Sequence, residues 1–142
     1  MTDSLLFPSE EWVNEYCKRL SESPDYNKTG KGWKDPIKFK MTEIGELKDK
    51  VPYDSFILNL HDGKCEACEM VSDPTKGASF ELTATYANWK KVIDGKINPT
   101  QAMLTGQLKV KGNIALLLRY ASAAIAMVKT AQSIPTKYAG EQ

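Results

Sequence analysis

The chain reads as an α+β protein, with about five strands in a mixed or antiparallel sheet and helices collected mainly on one face. Three observations predict this. Phe56, Leu58 and Leu60 alternate with Ser55, Ile57, Asn59 and His61, and Asp62-Gly63, a dipeptide suited to a tight hairpin, precedes a returning strand over 64–71. Residues 79–84 repeat the alternation, with Phe80, Leu82 and Ala84 opposite Ser79, Glu81 and Thr83. Residues 113–132 carry an apolar face much wider than a surface helix needs. Strands grouped ahead of the main helices, rather than strictly alternating with them, build separate layers.

In chain order, Ser9 can cap a helix whose first turn carries Glu10 and Glu11, where acids oppose the positive end of the helix dipole. Trp12, Val13, Tyr16, Cys17 and Leu20 follow at helical spacing, and this helix is expected on the outside of the core. Residues 21–36 are polar and broken by Pro24, Gly30, Gly32 and Pro36, a loop with room for one short helical turn, pinned to the body by Trp33. Ile37–Met41 makes a first strand, and residues 42–51 form a charged connection of no assigned shape. After the hairpin, Asp73-Pro74 and Gly77 mark a turn into the next strand.

A helix from about Thr85 ends at Gly95, and Asn98-Pro99 supplies an N-cap followed by proline at the first helical position. This second helix runs about 99–105 until Gly106 stops it. Gln107 to Lys111 alternates as a half-buried strand with Leu108 and Val110 inward. Gly112-Asn113 turns the chain and caps the last helix.

That helix carries the widest signal. With residues placed about 100° apart, the arc from Leu116 through Tyr120, Leu117 and Ile114 to Ile125 and Leu118 spans roughly 200°, where a surface helix needs about 100°. Arg119, Ser122, Lys129 and Thr130 occupy the opposite side. The helix therefore requires two apolar neighbours, the sheet on one flank and a second helix or a lipid-like molecule on the other. Periodicity alone leaves open an ordinary buried helix, broken near Tyr120 to Ser122, and a ligand wall.

From about Tyr53 to Gln132 the chain resembles the sterol carrier protein type 2 family, and Ser9-Glu10-Glu11-Trp12 with the lysine-rich stretch before the first strand resembles the N-terminal helices of its prokaryotic stand-alone members. The residues that carry the likeness are Trp89 to Gly95, Lys96-Ile97-Asn98-Pro99, Ala102-Met103 and Thr105-Gly106-Gln107-Leu108-Lys109-Val110-Lys111-Gly112-Asn113. The resemblance implies a single lipid-binding domain over 1–142: an N-terminal helical extension over 1–36, a core over 37–132 and a flexible tail over 133–142, where Pro135 and Gly140 fall. It also implies an apolar tunnel between sheet and helices. The wall residues expected are Phe56, Leu58, Phe80, Leu82, Trp89, Ile93, Met103, Leu108, Val110, Ile114, Leu117, Leu118, Ala121 and Ile125. Met103 and Met127 suit an adaptable wall, because the thioether side chain is unbranched and polarizable.

Composition narrows the function classes. The 142 residues carry 19 Lys plus Arg against 18 Asp plus Glu, a net charge of +1, which gives no global reason to bind nucleic acid. Apolar residues at 42% and charged residues at 26% fit a folded domain. No run approaches the ~18 apolar residues of a membrane-spanning helix. Met1 to Leu6 lacks the basic start and long apolar stretch of a secretion signal, which points to the cytoplasm.

The chemical motifs are weak. Cys65-Glu66-Ala67-Cys68 has the spacing of a metal or redox pair, but on a strand residues three apart face opposite sides. The three cysteines are expected as free thiols. His61 is the single histidine, beside the hairpin and without a nucleophile elbow, and reads as a turn-adjacent surface residue. Lys28, Lys31, Lys34, Lys38 and Lys40 read as a solvated face whose functional alternative is transient contact with an anionic membrane.

The function expected is therefore non-catalytic binding and transfer of a hydrophobic lipid-like ligand (fatty acyl, phospholipid, isoprenoid or sterol), with no cofactor, no metal and no nucleic acid. The alternatives are an accessory interaction domain, with a second copy of the chain covering the apolar surface as a homodimer, and a small acyl-thioester enzyme.

Overall fold

The computed structural model describes residues 4–44, 54–71, 73 and 75–138. The expected 42–51 connection lies outside these beyond residue 44. The main sheet has five strands: β2 (Pro36–Thr42), β3 (Ser55–His61), β4 (Lys64–Val71), β5 (Phe80–Thr85) and β6 (Lys109–Lys111). Their spatial order is β4-β3-β2-β5-β6, with β2 and β5 parallel and the other neighbours antiparallel, a mixed sheet.

The two-residue alternation sorts the faces. Met70, Phe56, Phe39, Leu82 and Val110 pair in one row across all five strands, with Leu58, Ile37 and Phe80 in the adjacent row on the same side. This face is the core. On the reverse face the matching row is Glu69, Ile57, Lys38, Glu81 and Lys111. Lys38 is only 2% exposed; its Nζ donates to the Lys76 carbonyl (2.6 Å) and lies 3.7 Å from Glu81 Oε1. The reading of 28–40 as one solvated lysine face is thus corrected at Lys38, because register places it between Ile57 and Glu81.

The β3–β4 hairpin turns at Asp62 (φ 49°) and Gly63 (φ 80°), both left-handed, as a two-residue hairpin of this type requires. A side chain at Gly63 would come within 2.4 Å of the Asn27 carbonyl, so glycine also lets the second helix approach. Past the turn the register skips Glu66: Leu60 pairs with Cys65, but Asn59 pairs with Ala67 and Leu58 with Cys68. This bulge brings Cys65 and Cys68 to the same side, which corrects the expectation that they face apart.

Helix α1 (Glu10–Glu22) is capped by Ser9, whose side chain accepts from the Trp12 amide (3.1 Å). The predicted stripe of Trp12, Val13, Tyr16, Cys17 and Leu20 is buried to the last residue. The helix covers β4 on the core face and is part of the interior wall, not an outer layer. A disulfide joins Cys17 to Cys65, tying α1 to β4 across 48 residues. Only Cys68 among the three cysteines is a free thiol, so the all-thiol expectation is corrected. Helix α2 (Pro24–Thr29) occupies the expected loop as its short helical piece.

Helix α3 (Tyr86–Ile93) is capped by Thr85 and α4 (Pro99–Thr105) by Asn98; Gly106 ends α4 in the left-handed conformation (φ 81°). The predicted last helix is two, α5 (Ile114–Arg119) and α6 (Ala121–Gln132), separated at Tyr120 with φ −103° and ψ 30°. Tyr120 is held there by an edge-on contact to Trp33 at 5.1 Å.

A second, two-stranded parallel sheet joins β1 (Leu5–Phe7) to β7 (Thr136–Tyr138). The Trp12 indole donates to Thr136 Oγ1 (2.9 Å), and the Tyr86 hydroxyl donates to the Phe7 carbonyl. Where a flexible tail over 133–142 was expected, residues 136–138 are therefore a paired strand, and residues 139–142 lie outside those described.

Candidate functional site

The main backbone neighbours of α6 are α1, α2, α3, α4 and α5, not the five-stranded sheet. It is propped on the other helices and stands away from the strands. Its inward side carries Ala123, Ala124 and Ala131, which stop short of the sheet where larger side chains would fill the gap. A cavity of about 100 Å³ occupies the space left.

The strand side of its wall is Ile37, Phe39, Phe56, Leu60 and Leu82; the helix side is Leu117, the three alanines, Met127 and Val128. Phe7, Trp12, Tyr16, Tyr26, Trp33 and Tyr120 contribute aromatic surface, and Trp89, Val92, Ile93, Pro99, Met103 and Leu108 complete the enclosure. Among the described residues no charged side chain is in this wall. The polar atoms that the aromatic rings bring are largely satisfied elsewhere. The Tyr16 hydroxyl donates to the Met127 carbonyl (3.0 Å), and the Trp33 and Trp89 indoles donate to the carbonyls of Asp35 and Lys40, both at 2.7 Å. Burial pushes the Tyr16 and Tyr26 phenols well above their ordinary range, Tyr26 adding to the effect on Tyr16, so both hold their protons. The lining is uncharged and water gains little by entering.

Of the fourteen residues singled out from sequence, Phe56, Leu82, Trp89, Ile93, Met103, Leu108 and Leu117 line the cavity. Leu58 is fully buried on the same sheet face but outside the lining, and Phe80 is spent against Trp33, with ring centroids 4.9 Å apart. Val110 and Ala121 are half-buried at the edge strand and at the start of α6. Ile114, Leu118 and Ile125 face outward, at 49%, 37% and 38% exposure. The three close one end of the roughly 200° apolar arc, and that is the end α5 and α6 turn to solvent.

Sequence reasoning missed the N-terminal contribution. Trp12, Tyr16, Tyr26 and Trp33 belong to a segment taken as peripheral, although its dense aromatic stripe was the available signal. All three tryptophans of the chain line the cavity. His61 is apart from it, with a half-exposed side chain and Nδ1 3.5 Å from Asp62 Oδ2. Among the described residues no group of three or more His, Cys, Asp or Glu is placed to hold a metal ion, and no helix is long and apolar enough to cross a membrane.

Comparison with known proteins gives one consistent likeness. The SCP-2 sterol transfer family matches residues 13–124. A crystal structure of a sterol carrier protein 2 superposes with a TM-score of 0.80 at 31% identity, over 89% of this chain and 97% of that one. A conserved protein of Thermus thermophilus, described as possibly a sterol carrier protein, gives 0.79 at 29% identity over 96% and 94%. The fold, at 19% identity and a TM-score of 0.52, is also that of a sterol carrier protein 2 from Aedes aegypti in complex with palmitate, over 82% and 94%. Among curated relatives, the human hydroxysteroid dehydrogenase-like protein 2 is 36% identical over 47 residues, which is 33% of this chain and 11% of that protein's length.

Proposed function

The chain belongs to the SCP-2 sterol transfer family, and from that premise we propose that it binds a hydrophobic lipid-like molecule in the cavity between the sheet and α6 and transfers it without chemical change. The observation that carries this reading is a wall of apolar and aromatic side chains containing no charge. Among the described residues such a wall offers no carboxylate, histidine, lysine or thiol to a substrate, but it favours any chain that leaves water for it, by about 0.8 kcal/mol per methylene. Binding of this kind is loosely selective, and palmitate, the ligand of the Aedes aegypti relative, is a suitable first probe. Phe56, Leu82, Trp89, Ile93, Met103, Leu108 and Leu117 are the wall residues shared by the sequence reading and the cavity.

Size sets a condition. At about 100 Å³ the cavity is smaller than the engineered one of about 150 Å³ that takes up benzene. A long chain enters only as the wall yields, and the yielding part is α5–α6, which is separated from the sheet by the cavity and already interrupted at Tyr120. The ligand's polar end stays uncharged or remains at the surface, because no cation in the wall meets a carboxylate.

Native mass spectrometry with solvent extraction of the purified protein, together with displacement of a fluorescent fatty acid, tests the reading. A bound lipid or a saturable displacement is expected; empty protein that takes up no fatty acid, isoprenoid or sterol probe overturns it. The thioester-enzyme alternative relies on His61, so His61→Ala is expected to leave ligand uptake unchanged, and loss of a measurable thioesterase activity in that variant would reverse the assignment.

A further inference from the structure

The outer side of the helix pair that forms the cavity wall carries a second pattern. Among the described residues the exposed large hydrophobic side chains are Leu104, Ile114, Leu118 and Ile125, and three of these four lie on α5–α6. The solvent side of the pair reads Ile114, Ala115, Leu118, Arg119, Ser122, Ile125 and Lys129, at the spacings of three and four that mark one helical face. Charge is segregated in the same region. Residues 95–140 contain no Asp or Glu, but they hold Lys96, Lys109, Lys111, Arg119, Lys129 and Lys137. Arg119 and Lys129 make no ion pair among the described residues. Exposed Glu22 of α1 and Asp25 of α2 share a surface hollow with Lys129 without pairing to it.

A helical face with large apolar side chains, unpaired cations and no acid of its own has the composition of an interfacial surface. The charge complement of such a face is an anionic lipid headgroup layer. We propose that the outer face of α5–α6 docks on an anionic bilayer surface, with Ile114, Leu118 and Ile125 entering the headgroup region and Arg119 and Lys129 against lipid phosphates. The proposal rests on the carrier reading for its purpose. The inner face of the same helices, through Leu117, Ala123, Ala124, Met127 and Val128, lines the cavity. Docking therefore brings the binding space within one helix diameter, about 10 Å, of the lipid, and places the interruption at Tyr120 at the contact.

The test is co-sedimentation of the full chain with vesicles of phosphatidylcholine alone and of phosphatidylcholine mixed with phosphatidylglycerol. Binding is expected on the mixed vesicles, weaker at high salt and weaker on phosphatidylcholine alone. Neutralising both cations, Arg119→Gln with Lys129→Gln, is expected to weaken it about 25-fold, from roughly fivefold per charge, with fatty-acid uptake unchanged. Leu118→Asp with Ile125→Asp is expected to abolish it; should that pair fail to fold by circular dichroism, the glutamine pair still decides. Unaltered vesicle binding by the glutamine pair overturns the proposal. Fatty-acid uptake without any vesicle binding overturns it and leaves the carrier reading standing, whereas loss of both overturns both. A concentration-dependent dimer that the aspartate pair dissolves, with no vesicle binding, gives the face to a second copy of the chain and also overturns it.

Discussion

Filling the cavity from its alanine side separates a ligand site from an ordinary packing defect. Ala123 is buried on α6 and lines the cavity, so Ala123→Leu extends three further carbons into about 100 Å³. A chain that loses three methylene positions forfeits about 2.4 kcal/mol at 0.8 kcal/mol each, which is about 50-fold in Kd. Ala123→Val, with two added carbons, forfeits about 1.6 kcal/mol, or roughly 15-fold. The fold has less reason to respond, because the added carbons occupy existing void and only the misfit costs energy, about 1–3 kcal/mol at most. Ala87→Leu, on the exposed side of α3, provides the control. Titration of a fluorescent fatty acid into each variant, with thermal melting alongside, is the assay. The expected order of affinity is wild type and Ala87→Leu, then Ala123→Val, then Ala123→Leu. A folded Ala123→Leu that binds as tightly as wild type refutes the reasoning and locates the ligand elsewhere.

Other consequences are equally direct. Since Trp12, Trp33 and Trp89 all line the cavity, a brominated fatty acid is expected to quench most of the intrinsic fluorescence; quenching confined to one third of the signal argues against a shared space. Cys17–Cys65 closes a loop of separation 48, so Cys17→Ser is expected to cost about 4 kcal/mol by loop entropy, or a melting temperature lower by about 15 °C. Thiol titration of denatured protein without reductant is expected to find one reactive group. Tyr16 holds its proton more tightly folded than unfolded. Its contribution is fully present below the unfolded value of about 10 and is lost as pH rises above it, by roughly 1.4 kcal/mol per unit. Denaturant unfolding of wild type and Tyr16→Phe at pH 9 to 11 is expected to show the shallower alkaline loss in the variant; equal slopes refute the assignment.

Much of the fold is legible residue by residue. The β3–β4 hairpin follows from Asp62-Gly63 after an alternating run, and the caps read at Ser9, Asn98 and Asn113 each accept backbone hydrogen bonds at the helix starts they mark. The three-residue strands β1 and β7 are not legible, because three residues are too short to show a period and their pairing joins opposite ends of the chain. The site was legible by half. Residues on regular elements that face the sheet side, such as Phe56 and Leu82, follow from alternation. Leu118 and Ile125 do not, because an apolar arc wider than one interface does not say which of its ends meets the interior.

What the sequence determined by itself is the longer elements, most of their faces and the family, since these rest on local periods of two and 3.6 residues and on caps read within a few positions. The tertiary structure alone decided the Glu66 bulge that aligns Cys65 with Cys68, the disulfide to Cys17, the burial of Lys38 and the existence of the cavity. Each depends on the distance between segments remote in the chain. In particular, α6 rests on five other helices, and that support holds its alanines away from the sheet. An alanine reads the same in sequence whether a neighbour closes over it or an empty space remains.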